Sequence, residues 1–463
     1  MLKSYEEMVK GGPFVFVDAD DLTDMADYYR YIGERDKAEQ AVAMALRIHP
    51  GATLPLVYRI HDALDEGDEN RAWELLAQIS DKSDLEYVFA KAEIYIATND
   101  LDSADKVLLE RFKQASDEQE INDFAYDAAK LYIDYNISDR AMEWSLRSAG
   151  EDSDEFKELT GRILMGMEQY DQSEKIFNEL IDHNPYSTRY WNALSNVQFM
   201  KNDTREAISS SEYALAIDPD NSESVLNKAF GLYELGNYEE AQKYYNRFSK
   251  LCPDDGVAEQ MQGNCLFLLN RYQEALIHFD KADQLLAPDD EENRQQLITQ
   301  QIYALWALGK KDEARKKIER MPDVGFADDD VHLMRGHLLL DEKNGLRAIG
   351  EFSQAMAGTS DPQKVVIGIF TCYLETENYS AAYQIYERFK KHFPEGWDHV
   401  KPYVALCCLH LNGHEQEFIE MLKDSAEKYP DLTRIVFNFY FPEELDPSDY
   451  YEYVKKKLNE KKQ

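Results

Sequence analysis

Glycine, proline, cysteine and long apolar runs are all scarce in this sequence of 463 residues. The 21 glycines and 14 prolines make up about 8% of the chain against a usual ~12%, which favours helices over a turn-rich β fold. The five cysteines form no CxxC pair and are odd in number, which favours small buried thiols in a reducing cytosol. The longest apolar stretches fall far short of the ~18 residues that a membrane-spanning helix needs.

Basic side chains are also few, since 51 lysines and arginines face 89 acidic residues and the formal net charge is −38. Such a surface repels phosphate backbones and anionic lipid headgroups, so we expect neither nucleic acid nor a membrane as a partner. The N-terminal segment carries Glu6 and Glu7 and no apolar core, so a signal peptide is not expected. These features predict a cytoplasmic protein.

What the sequence does contain is an internal repeat with a period close to 34 residues. One small residue marks the register, and six of the eleven gaps between its successive positions are 34. The twelve positions are Ala38, Ala72, Ala104, Ala141, Ser173, Ala207, Ala241, Ala275, Ala314, Ala348, Ala382 and, less regularly, Phe418. A shared register over twelve copies indicates a repeat architecture, in which each copy buries its apolar face against its neighbours.

Each repeat has the pattern of two amphipathic helices. In the segment 222–253, apolar residues recur at spacings of three and four on two successive stretches, which Gly236-Asn237 separates and Pro253 ends. The first stretch carries Val225, Ala229 and Leu232, and the second carries Ala241, Tyr245 and Phe248.

The order of these residues resembles that of the tetratricopeptide-repeat (TPR) family over roughly residues 19–430. In the seventh repeat it reads Gly236, Tyr238, Ala241, Tyr245, Pro253, and closing prolines recur at Pro50, Pro185, Pro219, Pro394 and Pro430. The resemblance implies an all-α fold: a right-handed superhelical solenoid of about twelve helix pairs with a C-terminal capping helix.

Five segments follow from the repeat register: an N-terminal cap (1–18) with an extended run at Phe14–Val17, repeats one to eight (19–286), an acidic insertion (287–294), repeats nine to twelve (295–430), and a C-terminal capping segment with a helix (431–463). The insertion around Pro288 is interpreted either as a solvated loop or as a hinge. The lysine-rich C-terminal helix is interpreted as a cap whose positive end complements its own dipole, with a basic docking tail as the alternative.

No motif for catalysis is present: GxxxxGK[ST], HExxH and GxSxG are all missing, and no carboxylate pair stands out as an acid and base. His410 and His414 flank Gly413 in a predicted loop, which does not suit a helical metal pair. The sequence therefore predicts a protein that is not an enzyme and that uses no cofactor or metal.

The resemblance implies a binding groove lined by the first helix of each repeat. In repeats six to ten these positions are rich in amides and aromatics, which can pair with a peptide backbone and hold apolar side chains. The predicted peptide-binding residues are Asn192, Asn196, Phe199, Asn227, Phe230, Tyr233, Asn264, Phe267, Tyr303 and Trp306. The aromatic positions are equally consistent with packing between repeats.

One specialised TPR type grips C-terminal carboxylates with a clamp of lysine, asparagine and arginine side chains. Asn196 and Asn227 match the two asparagines of that pattern, but Val257 and Met261 stand where the pattern needs Lys and Arg. The sequence thus predicts a non-catalytic scaffold that binds a protein or an extended peptide in its groove, with a basic partner favoured by the charge. The alternative is a structural subunit that uses its edges or convex face within a larger complex.

Overall fold

Helices account for nearly all regular structure in this protein. The computed structural model describes residues 17–148, 153–288, 290–442 and 444–461. These residues form 26 α-helices and three short 3₁₀ helices, and no strand occurs among them. The prediction of an all-α fold is confirmed.

The chain divides into two compact units, the first ending at Leu235 and the second beginning at Gly236. In the first unit, consecutive helices pack as hairpins, followed by a single last helix. The helices are α1 Ala19–Tyr31, α2 Arg35–Ile48, α3 Thr53–Asp65, α4 Glu69–Gln78, α5 Leu85–Ala97, α6 Leu101–Phe112, α7 Glu118–Asp134, α8 Ser138–Ser145, α9 Asp154–Gly166, α10 Tyr170–His183, α11 Thr188–Met200, α12 Thr204–Ile217 and α13 Ser222–Glu234.

The second unit continues the pattern with α14 Tyr238–Leu251, α15 Gly256–Leu268, α16 Tyr272–Leu285, α17 Glu291–Ala307, α18 Lys311–Ile318, α19 Asp328–Asp341, α20 Gly345–Gly358, α21 Pro362–Glu375, α22 Tyr379–Phe389, α23 Lys401–His410 and α24 Glu415–Lys428. Two 3₁₀ helices, Met321–Val324 and Glu395–Val400, connect repeats in this unit. The unit ends with α25 Pro430–Val436, the 3₁₀ helix Pro447–Asp449 and α26 Tyr450–Lys461.

The small residues that define the sequence register occupy one structural position. Each is the fourth residue of the second helix of its repeat, from Ala38 in α2 to Phe418 in α24, and each is at most 3% exposed. Small side chains at this position let two helix backbones approach closely. Phe418 departs from the pattern by size, and it packs against Phe437 and Tyr440 of the C-terminal segment.

Close packing within a repeat is clearest between α19 and α20. A Cβ atom at Gly336 in α19 would lie 2.3 Å from a ring carbon of Phe352 in α20, so only glycine leaves room for this aromatic ring. Phe352 is 4% exposed and joins the apolar core that runs from α20 to α26. This contact fixes the position of α19 in the second unit.

The C-terminal segment covers the last repeat with aromatic side chains. Tyr450, at the start of α26, is 2% exposed, and its ring stacks on Phe441 at 3.7 Å between centroids. Lys457 lies over the Tyr453 ring at 4.5 Å. These contacts agree with the capping interpretation of this helix.

The structure describes the acidic insertion almost completely but only the last residue of the N-terminal extended run. The acidic insertion does not form one loop, because Glu291 already begins α17 and Asp290 caps that helix by accepting a hydrogen bond from the Asn293 N–H. The insertion lies inside the second unit, and its interpretation as a hinge stays a prediction. The N-terminal run 14–16 lies outside the described residues, while Val17 is buried against the first repeat.

No helix among the described residues combines the length and apolarity that a bilayer crossing requires.

Candidate functional site

The first unit presents a network of amide side chains on α11 and α13, the first helices of repeats six and seven. We call Asn192, Asn196, Asn221, Glu223, Ser224 and Asn227 the amide surface. The network forms because α11 and α13 lie side by side, so positions about 31 residues apart in sequence face each other. Asn221 also caps α13 by accepting a hydrogen bond from the Ser224 N–H.

Asn192 does not serve as an exposed ligand contact, contrary to prediction. It is only 2% exposed, and its amide nitrogen donates to Asn221 Oδ1 at 3.0 Å and to Glu223 Oε2 at 3.1 Å. Its oxygen accepts a hydrogen bond of 2.6 Å from Ser224 Oγ. Asn192 therefore holds α11 against α13, which explains a poor helix former inside a helix.

Asn196 and Asn227 remain half-buried and reach the surface. Asn227 Nδ2 donates to Asn196 Oδ1 at 2.8 Å, and Asn196 Nδ2 donates to Glu223 Oε1 at 3.2 Å. Each amide nitrogen carries two hydrogens, so each retains one donor. Among the described residues the Asn227 side-chain oxygen accepts no hydrogen bond, so a donor and an acceptor are left on one exposed amide.

The aromatic residues beside this network contact one another. Phe199 and Phe230 meet edge to face at 5.1 Å, and Phe230 remains 41% exposed. Tyr233 is half-buried on the same helix as Phe230. The ring of Phe199 packs between repeats, whereas Phe230 leaves apolar surface exposed, and the peptide-binding role of these positions stays a prediction.

In the second unit, the predicted residues of α15 are engaged locally. Asn264 is half-buried, and its amide nitrogen contacts the Met261 sulfur at 3.5 Å. Phe267 packs edge to face on Tyr272 at 5.2 Å. Both side chains thus have partners within their own helix pair.

Tyr303 and Trp306 of α17 form an aromatic cluster with His337 of α19. The Tyr303 and Trp306 rings are nearly parallel at 6.2 Å, and the His337 ring meets Trp306 edge to face at 4.5 Å. Near this cluster, burial tends to raise the pKa of the Asp341 carboxyl, but its contact with Lys311, and to a lesser extent with Trp306, holds that pKa below its usual value.

This cluster borders a cavity of about 310 Å³ between α17, α19 and α21, which we call the helix-A pocket. Its polar lining comes from all three helices, whereas its apolar floor also includes the 3₁₀ helix after α18. The lining residues are Thr299, Tyr303, Met321, Phe326, Asp330, Leu333, Met334, His337, Gly368, Thr371, Cys372 and Glu375.

Burial controls the charges in the helix-A pocket. It lowers the pKa of His337 to about 4, so the ring is neutral at pH 7. It raises the pKa of the Glu375 carboxyl, and no cation among the described residues opposes that rise. It also raises the pKa of the Cys372 thiol to about 12, which makes this cysteine an unreactive neutral group. His337 Nε2 lies 3.4 Å from Glu375 Oε2.

Sequence reasoning placed Tyr303 and Trp306 here but missed Thr371, Cys372 and Glu375 of α21. A usable signal was present, because residues 303, 337 and 371 are spaced by one repeat and therefore occupy equivalent positions on successive first helices. Extending the groove positions beyond repeat ten would have identified Thr371.

One group of potential metal ligands occurs among the described residues. Cys408, His414 and Glu417 offer atoms within 4.8 Å of one another. Burial raises the pKa of the Cys408 thiol to about 12, which opposes the thiolate that a metal needs. Glu417 Oε2 already accepts hydrogen bonds from Tyr383 Oη at 2.5 Å and contacts His414 Nδ1 at 3.1 Å. These contacts engage Glu417 and His414 in hydrogen bonds within the fold.

Two family models match the chain. A tetratricopeptide-repeat model matches residues 159–222, and a model described as subunit 3 of the anaphase-promoting complex, or cyclosome, matches residues 200–282. Both matches fall inside the region where the sequence period is most regular. No curated protein sequence matches the chain.

Several solved repeat structures resemble parts of the chain at low identity. A tetratricopeptide-repeat protein from Parabacteroides merdae ATCC 43184 is 14% identical, with a TM-score of 0.40 over 55% of this chain and 98% of that one. YrrB, described as a TPR protein with an unusual peptide-binding site, is 17% identical, with a TM-score of 0.35 over 41% of this chain and 95% of its own. Pseudomonas aeruginosa PilF is 18% identical, with a TM-score of 0.37 over 46% of this chain and 95% of its own.

Proposed function

We infer from the membership of this chain in the tetratricopeptide-repeat family that it is a protein-interaction scaffold, and we propose that its amide surface binds an extended segment of a partner protein. The single observation that carries the proposal is the half-exposed pair Asn196 and Asn227. Their retained donors and the open Asn227 oxygen match the alternating donors and acceptors of a peptide backbone.

The exposed Phe230 ring supplies the apolar part of the same surface. An aromatic ring beside backbone-binding amides forms the kind of anchor on which peptide affinity concentrates. Since Phe199 supports Phe230 edge to face at 5.1 Å, the ring is held in position before a ligand arrives. Less side-chain entropy is then lost on binding.

The charge of the protein favours a basic segment. With a net charge of −38, the chain attracts cationic partners over long range, and their association should slow as ionic strength rises. We propose that the protein acts without catalysis in the cytoplasm and that nucleic acids and membranes are not its partners.

Peptides selected by display against the full-length chain provide the test. A selected peptide should bind the double variant Asn196→Ala/Asn227→Ala about 5- to 100-fold more weakly, because two amide contacts at roughly 0.5–1.5 kcal/mol each are lost. The fold should be unaffected, because alanine is the better helix former.

The matched control replaces two exposed amides of α10 in the same unit, Gln172→Ala and Asn178→Ala, and should bind like the wild type. Failure to select any peptide would overturn the proposal. So would equal affinity of the wild type and the Asn196/Asn227 variant.

A second function, a structural subunit within a larger complex, is favoured by two observations. Residues 200–282 resemble a subunit of such a complex. In addition, Leu346 and Ile349 are exposed by 88% and 52% on one side of α20, outside the helix-A pocket. Equal affinities of a selected peptide for the wild type and the Asn196→Ala/Asn227→Ala variant would favour this second function.

A further inference from the structure

The helix-A pocket combines a carboxylate with hydroxyl oxygens that are left to accept hydrogen bonds. Thr299 Oγ1 donates to the Gln295 carbonyl at 2.9 Å, and Thr371 Oγ1 donates to the Ile367 carbonyl at 3.0 Å. Each hydroxyl has thus used its single hydrogen on its own helix and retains lone pairs. Together with the Glu375 carboxylate, these groups form a lining that accepts hydrogen bonds.

No cationic side chain belongs to the described lining of this pocket. The other carboxylate, Asp330, is paired with Lys364 at 2.7 Å, whereas Glu375 faces His337, whose ring is neutral at pH 7. A carboxylate that is partly removed from water without a counter-ion is costly. A cationic ligand would relieve this cost.

Aromatic rings stand beside the same carboxylate. Tyr303 and His337 line the cavity, and Trp306 packs against both rings. Ring faces attract ammonium and guanidinium groups, and the effect grows where water is excluded. An aromatic border therefore favours the same ligand charge as Glu375 does.

The volume limits what can enter. About 310 Å³ lies at the lower end of the range for small-molecule sites, which suits one long side chain better than a folded element. The apolar residues Met321, Phe326 and Leu333 line the cavity as well and can contact the methylene groups of such a side chain.

We propose that the helix-A pocket binds a lysine or arginine side chain of a partner protein, with the cationic group between Glu375, the Thr371 hydroxyl and the aromatic cluster. Both side chains present only donors, which match an accepting lining. The inference rests on the scaffold function proposed above and is independent of the amide surface, which lies in the first unit.

The probes for the test are N-acetyl-lysine methylamide, its arginine counterpart and the uncharged norleucine counterpart. The full-length protein is labelled with 5-fluorotryptophan, and the Trp306 signal is assigned with the Trp306→Phe variant. We expect lysine or arginine to shift this signal saturably at about 1–50 mM, a range that fits a single side chain. Norleucine should have no such effect, and the stronger of the two cations identifies the preferred residue.

Four variants decide whether the shift reports on the pocket. Glu375→Gln should weaken binding of the cationic probe about tenfold, and Thr371→Val about threefold. Glu313→Gln removes the same charge from a surface pair with Lys310 and should leave binding unchanged. Asn196→Ala/Asn227→Ala should also leave it unchanged, so failure of the amide surface and failure of the pocket can be told apart.

The proposal is overturned if the Trp306 signal does not move with any cationic probe, if norleucine moves it equally, or if folded Glu375→Gln binds like the wild type. Circular dichroism of each variant confirms that it is folded.

Discussion

The amide surface of the first unit and the helix-A pocket of the second use equivalent faces of the repeat in opposite ways. In the amide surface, Asn192 is satisfied by Asn221, Glu223 and Ser224, so the polar groups chiefly hold two helices together. In the pocket, the described lining offers no cation to pair with Glu375. The difference teaches that a polar residue on the first helix of a repeat indicates a ligand site only where its donors, acceptors or charge lack partners within the protein.

The largest expected effect concerns His337 and acid. The pKa of this ring falls from 6.5 to about 4 on burial, so the unfolded state binds more protons between those values. Stability that is fully present above pH 6.5 is therefore lost as the pH falls toward 4, by roughly 3 kcal/mol. Urea unfolding of the wild type and of His337→Gln over this range measures the effect.

The His337→Gln variant should lose less stability on acidification than the wild type, because glutamine does not titrate. Other carboxyl groups titrate in both proteins, so the difference between the two curves isolates His337. If the unfolding free energies of the two proteins fell in parallel with pH, the folded state would bind a proton at His337 as readily as the unfolded chain does. The pocket would then differ less from the amide surface in the burial of its polar groups.

The next effect distinguishes the two kinds of asparagine. Asn192→Ala should cost about 1–3 kcal/mol of unfolding free energy, because it removes the hydrogen bonds that this buried amide makes with Asn221, Glu223 and Ser224. Asn227→Ala should change stability by much less, since Asn227 donates a single hydrogen bond and remains half-buried. Thermal unfolding of the two variants side by side gives the comparison, and equal losses would contradict it.

The repeat register could be predicted from sequence because one position tolerates little variation in size. Every residue from Ala38 to Ala382 in that register is small, and all are buried at the same point of the second helix. The residue types in the turns were harder to predict from sequence. All twelve turns between paired helices contain a residue with positive φ, and Glu168, Lys343 and Glu377 occupy it where glycine or asparagine is expected.

The candidate sites were predictable only in part. Helical spacing placed Tyr303 and Trp306 on one face, but the role of Glu375 depends on which helix lies beside it. The burial of Asn192 likewise depends on Ser224 and Glu223, which are about 31 residues away. Periodicity assigns a residue to a helix face, whereas partners across helices decide whether its polar atoms are free.

The smallest effect tests the pocket through stability alone. Burial raises the pKa of Glu375, so the folded state holds its proton to higher pH than the unfolded chain does. Stability is then present below the unfolded pKa and is lost as the pH rises through the folded pKa. Glu375→Gln should therefore be slightly more stable than the wild type at pH 8 and should unfold at a slightly higher temperature. The gain in unfolding free energy should be less than about 1 kcal/mol, because the side chain is partly exposed.

The gain in stability of Glu375→Gln should vanish near pH 4, where the wild-type carboxyl is protonated. Glu313→Gln should show no gain in stability at either pH. A variant that becomes more stable while it loses a cationic ligand is the pattern expected of a binding group kept at some cost to the fold. If Glu375→Gln were instead less stable at pH 8, a cation within the protein would already compensate the carboxylate, and the pocket would need no ligand to supply one.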